Sequence, residues 1–515
     1  MSYDSLRHQF NWRIPERFNL GVACSDAHPD DRPALIREAV DGSSGVVTFG
    51  QLSRKSNQLA NHLKSLGIRR GDRVGVLVPQ SLDTGISHLA IWKLGAISVP
   101  LASLFGPDAL SYRIADSGAR AVLASPENVG KIQGSVGDLS LVVTGAELDS
   151  RLSESSDSFE PVDVAGEDPA YLIYTSGTTG SPKGALHAHR SLHGHLPGFE
   201  LYYEFAPRDG DVIWTPADWA WIGGLMDVLI PAWYFGMTVL TDDHNFEPER
   251  AGHLMARHQV SLAFLPPTAL KMMRASGVSR SDLVLRAIFS GGETLGPEML
   301  EWSLQNLGTS INEGYGQTEC NLVVGNCGSV WPVRPGSMGR ALPGHVVEVQ
   351  DEGGNRVVGE IGEICVRAPD PVMMLHYWNR PDDTAEKYRG GWLLTGDLGM
   401  EDLDGYFWFK SRKDDVISSM GYRIGPGEIE ESLMRHQAVA MCAVIGVPDD
   451  VKGQVPAAFV VLRPGFSATD ELAAELQSHV RVRLGAHEVP RRLTFVDDLP
   501  RTTTGKIMRR ALREG

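Results

Sequence analysis

Cysteine is scarce in this sequence. The 515 residues include five cysteines, at positions 24, 320, 327, 365 and 442, and no two of them form a C-x-x-C pair. An odd number with scattered spacing provides neither a disulfide framework nor the ligand spacing of a structural zinc site. We therefore expect a reduced, cytoplasmic protein.

Positive charge and long apolar runs are also limited. The 48 Lys and Arg residues are outnumbered by 64 Asp and Glu, and the formal net charge of −16 argues against a nucleic-acid partner. The N-terminal stretch MSYDSLRHQFNWRIPERF contains acids and has no apolar core, so we expect no secretory signal. The one long apolar stretch, 219–240, contains Asp227, Pro231 and three glycines, and we interpret it as buried core rather than a membrane span.

The succession of strand and helix patterns predicts a multidomain α/β fold. A chain of 515 residues is too long for one hydrophobic core. Up to about residue 335, strand and helix patterns alternate, which predicts two doubly wound α/β subdomains. Short strands separated by Gly, Pro and Asp-Gly turns over about 336–410 predict an antiparallel, β-barrel-like subdomain. The last hundred residues predict a small α+β unit.

The strongest local signal is the stretch YLIYTSGTTGSPKGALHAHR, residues 171–190. An apolar strand leads into a loop of Thr, Ser and Gly that ends at Lys183. Glycines allow backbone N–H groups to approach an anion, and the hydroxyls and Lys183 add donors and charge, which suits a polyphosphate. The G-x-x-x-x-G-K-[ST] pattern of a Walker A loop is absent. An ordinary flexible loop is the alternative.

Five stretches along the chain resemble the motifs of one family. The stretch 171–190 is followed by NEGYGQTE (312–319), GGWLLTGDLG (390–399), FKSRKDDVISSMGYRIGPGEIE (409–430) and LPRTTTGKIMRR (499–510). On these motifs the chain resembles the adenylate-forming, AMP-binding superfamily, and within it the acetyl-CoA and medium-chain acyl-CoA synthetases. The resemblance implies an AMP-forming acyl-CoA synthetase, an acid–thiol ligase that works through an acyl-adenylate. It also implies the ligands ATP, Mg²⁺ and CoA.

The resemblance implies a nucleotide site assembled from several motifs. Glu319 matches the family's Mg²⁺ ligand, which must be a hard oxygen donor, and Thr318 matches a donor to the α-phosphate. The other implied ATP- or AMP-binding residues are Thr175, Ser176, Gly177, Thr178, Thr179, Gly180, Lys183, Gly292, Glu293, Tyr315, Gly316, Gln317, Asp397 and Arg412. Taken singly, Asp397 could be a turn residue and Arg412 a surface charge.

The resemblance further implies a mobile C-terminal domain. Asp414 matches the hinge about which this domain rotates between the two half-reactions, dividing the chain into 1–413 and 414–515. Lys506 matches the lysine that bridges the carboxylate and the α-phosphate. The implied CoA-binding residues are Gly421, Tyr422, Arg423 and Arg481. Nine Lys and Arg against four acids from residue 480 onward would suit the CoA phosphates, with plain surface charge as the alternative.

The acyl pocket implied by the resemblance is rich in glycine. Its residues are Trp221, Ile222, Gly223, Gly291 and Gly316. Gly316 stands where acetyl-CoA synthetases place a tryptophan that closes the pocket. We therefore expect a wide, apolar pocket and a medium-chain, branched or aromatic acid rather than acetate.

Two other functions remain open. A stand-alone adenylation enzyme that loads a carrier protein would use the same motifs. A catalytically inactive nucleotide or acyl sensor is a second alternative, although Lys183, Glu319, Asp397 and Lys506 are all present. Monomer and homodimer are both possible. Four histidines in HAHRSLHGH (187–195) could suggest a metal site, but no acidic or cysteine partner stands out nearby.

Overall fold

The computed structural model describes residues 2–135, 139–175, 181–293, 295–419, 422–449, 453–484, 488–502 and 507–514. The chain forms two compact units. Unit 1 comprises Met1–Gly177, Ser181–Val346 and Arg367–Gly391, and unit 2 contains Val347–Val366 and Trp392–Gly515. The predicted mixed α/β fold class is confirmed. The predicted domain boundary and hinge at Asp414 stay predictions.

Helices occur in both units. The α-helices are α1 (Tyr3–Gln9), α2 (Leu20–Ala23), α3 (Phe49–Ser65), α4 (Leu82–Lys93), α5 (Pro107–Ser117), α6 (Val129–Ile132), α7 (Ala146–Ser153), α8 (Ser191–Tyr202), α9 (Ile222–Gly224), α10 (Ile230–Tyr234), α11 (Pro248–Arg257), α12 (Pro267–Ala275), α13 (Pro297–Asn306), α14 (Pro381–Glu386), α15 (Pro426–Met434), α16 (Asp470–Arg483) and α17 (Arg509–Glu514). A π-helix, Leu225–Leu229, connects α9 to α10.

Strands are distributed along the whole chain. They are β1 (Pro33–Glu38), β2 (Ser44–Thr48), β3 (Arg73–Leu77), β4 (Ile97–Pro100), β5 (Ala121–Ala124), β6 (Ser140–Val143), β7 (Pro169–Thr175), β8 (Lys183–Ala188), β9 (Val212–Trp214), β10 (Thr238–Asp242), β11 (Leu262–Phe264), β12 (Ala287–Gly291), β13 (Ile311–Gln317), β14 (Cys320–Gly325), β15 (Gly339–Ala341), β16 (Val347–Gln350), β17 (Ile361–Arg367), β18 (His376–Tyr377), β19 (Tyr388–Arg389), β20 (Trp392–Glu401), β21 (Tyr406–Arg412), β22 (Ile417–Ser419), β23 (Tyr422–Ile424), β24 (Val439–Asp449), β25 (Gly453–Leu462) and β26 (Arg492–Phe495).

Unit 1 contains two largely parallel arrays of strands. One has the order β18-β8-β7-β4-β3-β5-β6, with β3, β4, β5 and β6 joined in parallel. The other runs β15-β14-β13-β12-β11-β9-β10-β1-β2, and its neighbours from β13 to β1 are parallel. Because parallel neighbours require crossover connections, helices lie between successive strands, as the alternating sequence pattern predicts.

Local sequence signals place many of these elements correctly. Thr48 and Gln51 form a capping box at the start of α3, a local sequence pattern: the Gln51 backbone N–H donates to the Thr48 hydroxyl, and the Gln51 side chain accepts from the Thr48 N–H. The apolar face of α3 buries Leu52, Leu59 and Leu63. At the other end of the chain, α15 has a proline in its first turn, as its sequence predicts.

The phosphate-loop motif begins with the predicted apolar strand, β7, and a second strand follows it. Strands β7 and β8 form an antiparallel pair in which Thr175 lies opposite Lys183. Lys183 is therefore also the first residue of β8, and the helix α8 starts after this strand.

The apolar stretch 219–240 is core, as predicted. Residues Leu225 to Ile230 are buried, and Trp219 and Trp233 are fully enclosed, with ring centroids 6.5 Å apart. In the described parts of the chain, no helix combines the length and apolar character that a bilayer crossing requires.

Unit 2 contains antiparallel strands and a small α+β sheet. The strands predicted for the barrel-like subdomain run in the order β16-β17-β20-β21. The later strands follow the order β23-β22-β25-β24, and β26 pairs in parallel with β25. Helices α15 and α16 cover this sheet through a core that includes Ile429, Leu433, Leu476 and Val480.

Several histidines of unit 1 are buried in the neutral form. Burial lowers the pKa of His88 to about 3, and neither of its ring nitrogens has a hydrogen-bond partner among the described residues. His187, His189 and His195 of the HAHRSLHGH segment are also buried, with pKa values lowered to about 3, 3 and 4. These rings fill core space: His187 stacks on Tyr171 at 4.8 Å, and His193 contacts Phe18.

His88 provides a test of whether these histidines are buried in the neutral form. Because its pKa is lower in the folded than in the unfolded chain, the unfolded state binds more protons between about pH 3 and pH 6.5, and stability is lost as pH falls through that range. We expect His88→Leu to make the urea midpoint less dependent on pH between pH 4 and 6.5, removing up to about 1.4 kcal/mol per pH unit.

The exposed His8 is the control, because its ring is already in water. His8→Leu should leave the pH dependence of the midpoint unchanged. An identical pH dependence in His88→Leu and wild type would contradict the neutral-burial explanation.

Candidate active site

Adjacent strands bring two of the predicted motifs together at the carboxyl ends of β12 and β13. Ser290 pairs with Glu313 and Gly291 with Gly314, so the segment 290–293, which contains the predicted residues Gly291, Gly292 and Glu293, lies beside the NEGYGQTE motif. The approach is close: a Cβ at Gly291 would lie 2.7 Å from the Gly314 carbonyl oxygen. Ligand sites of parallel α/β sheets lie at this edge, and the geometry therefore supports a nucleotide site here.

Thr318 and Glu319 form the two-residue turn of the β13–β14 hairpin, where Gln317 pairs with Cys320. The turn is held by its surroundings in unit 1. The Tyr377 hydroxyl donates a hydrogen bond to the Glu319 carboxylate, and the Met374 N–H donates to the Glu319 carbonyl at 2.9 Å. Glu319 is consequently a buried carboxylate with a fixed orientation, which is what a metal site requires of a ligand.

The neighbouring motif residues are half-buried on β13. The Lys387 ammonium donates to the Gln317 side-chain oxygen at 3.3 Å, and Tyr315 lies opposite Val324. A Cβ at Gly316 would lie only 2.4 Å from the Leu322 backbone nitrogen. Glycine at 316 is therefore required by backbone packing, and the tryptophan expected from acetyl-CoA synthetases could not fit without moving that backbone.

Lys183 has an acidic partner in unit 1. Its ammonium forms an ion pair with Asp383 on α14, and both side chains are partly exposed. The Thr175 hydroxyl donates to the Lys183 carbonyl oxygen at 3.3 Å, which holds the first and last described residues around the predicted phosphate loop. Ser176, Gly177, Thr178, Thr179 and Gly180 lie outside the described residues.

The predicted acyl-pocket residues share one region of unit 1. Trp221 immediately precedes α9 and packs edge-to-face on Phe105 at 5.5 Å. Ile222 and Gly223 open α9, and a Cβ at Gly223 would lie 3.1 Å from the Phe264 ring. Phe264 in turn stacks on Phe289, two residues before Gly291. Gly223 and Gly291 thus adjoin the aromatic rings of Phe264 and Phe289, although neither glycine faces open space.

In unit 2, Asp397 and Arg412 are cross-strand neighbours on β20 and β21. The Arg412 Nε lies 3.1 Å from an Asp397 carboxylate oxygen, and Asp397 is buried. The resemblance implies that Asp397 accepts the ribose hydroxyls and that Arg412 contacts the nucleotide. Their adjacency is compatible with one shared ligand.

The predicted hinge and CoA residues of unit 2 differ in their surroundings. Asp414 is exposed in a 3₁₀ turn, whereas its neighbour Asp415 is buried and pairs with Arg513 at 2.7 Å and Arg509 at 3.3 Å. Arg509 also pairs with Glu430 at 2.7 Å. At least two arginines of the predicted basic segment are therefore engaged by acids of unit 2 and do not form a free patch for CoA phosphates.

The remaining predicted residues lie on α16, on β23 and directly after β12. Arg481 is exposed in the last turn of α16, and Tyr422 and Arg423 belong to β23. Gly292 has φ of +93°, which favours glycine, and Glu293 is half-buried. Gly421 and Lys506 lie outside the described residues. The described flanks of Lys506 are joined by a bridge between Arg501 and Ile507.

Glu313 is a buried acid that is not among the predicted site residues. Burial raises its pKa to about 8, and its second carboxylate oxygen has no hydrogen-bond partner among the described residues, while the first accepts from the Leu295 N–H at 3.3 Å. It faces Ser290 across the strand pair. An acidic residue inside the NEGYGQTE motif, on a strand next to other motif residues, is the sequence signal that could have identified it.

Comparisons with known proteins identify the family of the whole chain. Residues 23–378 match the model of the AMP-binding enzyme family, and residues 428–506 match its C-terminal domain. The chain belongs to the AMP-binding enzyme family. This AMP-binding enzyme is 32% identical to an uncharacterized acyl-CoA ligase, YtcI, of Bacillus subtilis, over 94% of this chain and 93% of the relative. It is 34% identical to acetyl-coenzyme A synthetase of Pyrobaculum arsenaticum, over 98% and 84% of the two chains.

A solved structure extends the comparison to a bound intermediate. The anthranilate CoA ligase AuaEII in complex with anthranoyl-AMP superposes with a TM-score of 0.86, at 30% identity over 97% of this chain and 98% of the other. Together these findings make the AMP-binding enzyme an acid–thiol ligase of the acyl-CoA ligase class that acts through an acyl-adenylate.

The ion pair of Lys183 leads to a prediction about ATP. If Lys183 binds the ATP phosphates, as its motif implies, ATP must displace Asp383. We expect Asp383→Asn to lower the KM for ATP by about two- to fivefold, because a partly exposed ion pair is worth about 0.2–1 kcal/mol. Initial rates of pyrophosphate release against ATP concentration would measure this.

Asp382 is the matched control, because it lies beside Asp383 on α14 and is exposed. Asp382→Asn removes the same charge without freeing Lys183, and its KM should stay near the wild-type value. Equal shifts in both variants would mean that general charge, not the ion pair, controls ATP binding.

Proposed function

We propose that the protein converts a carboxylic acid larger than acetate, of medium-chain, branched or aromatic type, into its CoA thioester with ATP. The observation that carries this proposal is the backbone contact at Gly316, which excludes a pocket-closing tryptophan in this conformation. The aromatic wall of Phe264 and Phe289 beside Gly223 supports an apolar acyl site.

In this proposal, unit 1 holds the phosphates and the acid. Lys183 and the loop 175–180 bind the β- and γ-phosphates, and Thr318 donates to the α-phosphate. Glu319 fits a Mg²⁺ ion, because its carboxylate is fixed by Tyr377 and Mg²⁺ usually takes one or two carboxylates and completes its shell with phosphate oxygens and water. When bound, Mg²⁺ supplies charge neutralisation for the phosphates.

Other parts of the proposal rest on unit 2 and on composition. Asp397 accepts the ribose hydroxyls and Arg412 contacts the nucleotide, supported by their 3.1 Å contact. Gly421, Tyr422, Arg423 and Arg481 are proposed to bind CoA, and Asp414 is the proposed hinge. A cytoplasmic location is supported by the scarcity of cysteine, since the chain has five in all and each is buried.

An acid panel tests the substrate class. Purified protein is incubated with ATP, Mg²⁺ and a series of acids from acetate to decanoate, with branched and aromatic acids, and both pyrophosphate and CoA thioester are measured. We expect kcat/KM to peak at an acid larger than acetate. A peak at acetate would refute the substrate class.

The same panel separates the two alternative functions. Pyrophosphate release that never yields a CoA thioester would instead support an enzyme that loads a carrier protein. Absence of pyrophosphate with every acid would support a sensor without catalysis.

Lys506 allows the two half-reactions to be tested separately. We propose that its charge offsets the repulsion between the carboxylate and the α-phosphate and is not used when CoA attacks. Lys506→Ala should lower acyl-adenylate formation by at least about 100-fold, equivalent to about 2.7 kcal/mol, while thioester formation from supplied acyl-AMP stays within a few fold.

Met508→Ala is a control in the same segment, with an uncharged side chain. It should leave both half-reactions near wild-type rates. Equal losses of the two half-reactions in Lys506→Ala would contradict a role confined to adenylation.

A further inference from the structure

One buried carboxyl of unit 1 has no part in the proposed chemistry. Asp227 lies in the π-helix Leu225–Leu229 inside the apolar stretch 219–240, and it is 4% exposed. A π-helical turn is uncommon and is often associated with functional sites. The hydroxyl of Tyr203, the residue that follows α8, donates to the Asp227 carbonyl oxygen at 3.2 Å and so anchors this turn.

The Asp227 side chain has one partner within the described part of the chain. The Asn321 side-chain amide donates to its Oδ1 at 2.5 Å. Burial raises the pKa of Asp227 well above its usual range, which favours the protonated, neutral carboxyl in this apolar surrounding. Because Asn321 donates to Oδ1, the proton of the neutral acid is placed on Oδ2, where it can be donated to a further group.

The position of this donor links it to the proposed acyl pocket. The Asp227 Oδ2 lies 3.6 Å from the point that a Cβ at Gly223 would occupy. The backbone of its partner Asn321 lies 2.7 Å from the corresponding point at Gly316. The Asp227–Asn321 pair therefore lies between two residues of the proposed pocket, next to the Phe264 ring that borders Gly223.

We infer that Asp227 determines substrate specificity by donating a hydrogen bond to an acceptor oxygen on the acyl chain or ring, away from the reacting carboxylate. This inference rests on the proposed function and narrows its substrate class to hydroxy or oxo acids. A plain hydrocarbon acid would leave the buried donor without a partner, and sites built to bond a polar group discriminate strongly against substrates that lack it.

Matched pairs of acids test the inference. Rates of CoA thioester formation are measured for heptanoate and its oxo and hydroxy isomers, and for benzoate and its three hydroxy isomers. For wild type we expect kcat/KM for at least one oxygen-bearing isomer to exceed that of its parent acid by at least about tenfold. In Asp227→Leu, that ratio should fall to about one.

A conservative variant separates donation from simple packing. Asp227→Asn keeps a donor at this position through its amide, and it should retain most of the preference. Asp218→Asn is the matched control, because Asp218 lies immediately before the same stretch and its carboxylate already accepts from the Ala220 N–H at 2.9 Å. It should leave the ratio unchanged.

Each result supports the inference or overturns it. Wild-type ratios near one for all pairs, loss of the preference in Asp227→Asn, or an equal loss in Asp218→Asn would overturn it, and the proposed function would stand as long as thioester forms. If wild type forms no thioester with any acid, the proposed function itself fails. Should Asp227→Leu not fold, the wild-type ratios and Asp227→Asn decide.

Discussion

The close contact between the ends of β12 and β13 is the constraint on which the site in unit 1 depends. Pairing of Gly291 with Gly314 leaves no room for a side chain at Gly291. That register determines which residues of the NEGYGQTE motif follow the strand end, and therefore where the Thr318–Glu319 turn forms. Tyr377 then fixes the orientation of the Glu319 carboxylate. A shift of one residue would turn these side chains to the opposite face of the sheet.

Charge pairing gives two of the proposed nucleotide-binding groups an acidic partner within the protein. Lys183 bonds Asp383, and Arg412 lies against Asp397. Ligand binding is then an exchange of partners in which one set of contacts replaces another, so the net gain is smaller than the contacts alone suggest. Arg509 differs, because its pairs with Asp415 and Glu430 are largely buried and tie the C-terminal helix to neighbouring parts of unit 2.

Neutral polar groups are a second recurring feature of unit 1. His88 and His187 are buried with pKa values of about 3, and Glu313 is buried with a pKa of about 8. All three are therefore uncharged at neutral pH, which avoids the cost of placing a charge in an apolar interior. A neutral carboxyl can donate a hydrogen bond where a carboxylate cannot, and this property gives the Asp227–Asn321 pair its proposed role in selecting the acid.

The sequence by itself determined the family, the order of the motifs, the α/β class and local features such as the Thr48 capping box. These follow from patterns within a few residues, where propensity, periodicity and motif spacing act. Only the tertiary structure decided that Lys183 begins a strand, that Gly316 packs against the Leu322 backbone, and that Arg509 pairs with Asp415 and Glu430. It also joined Asp227 to Asn321, 94 residues apart. Such contacts depend on strand register and close packing between distant segments, which no local pattern specifies.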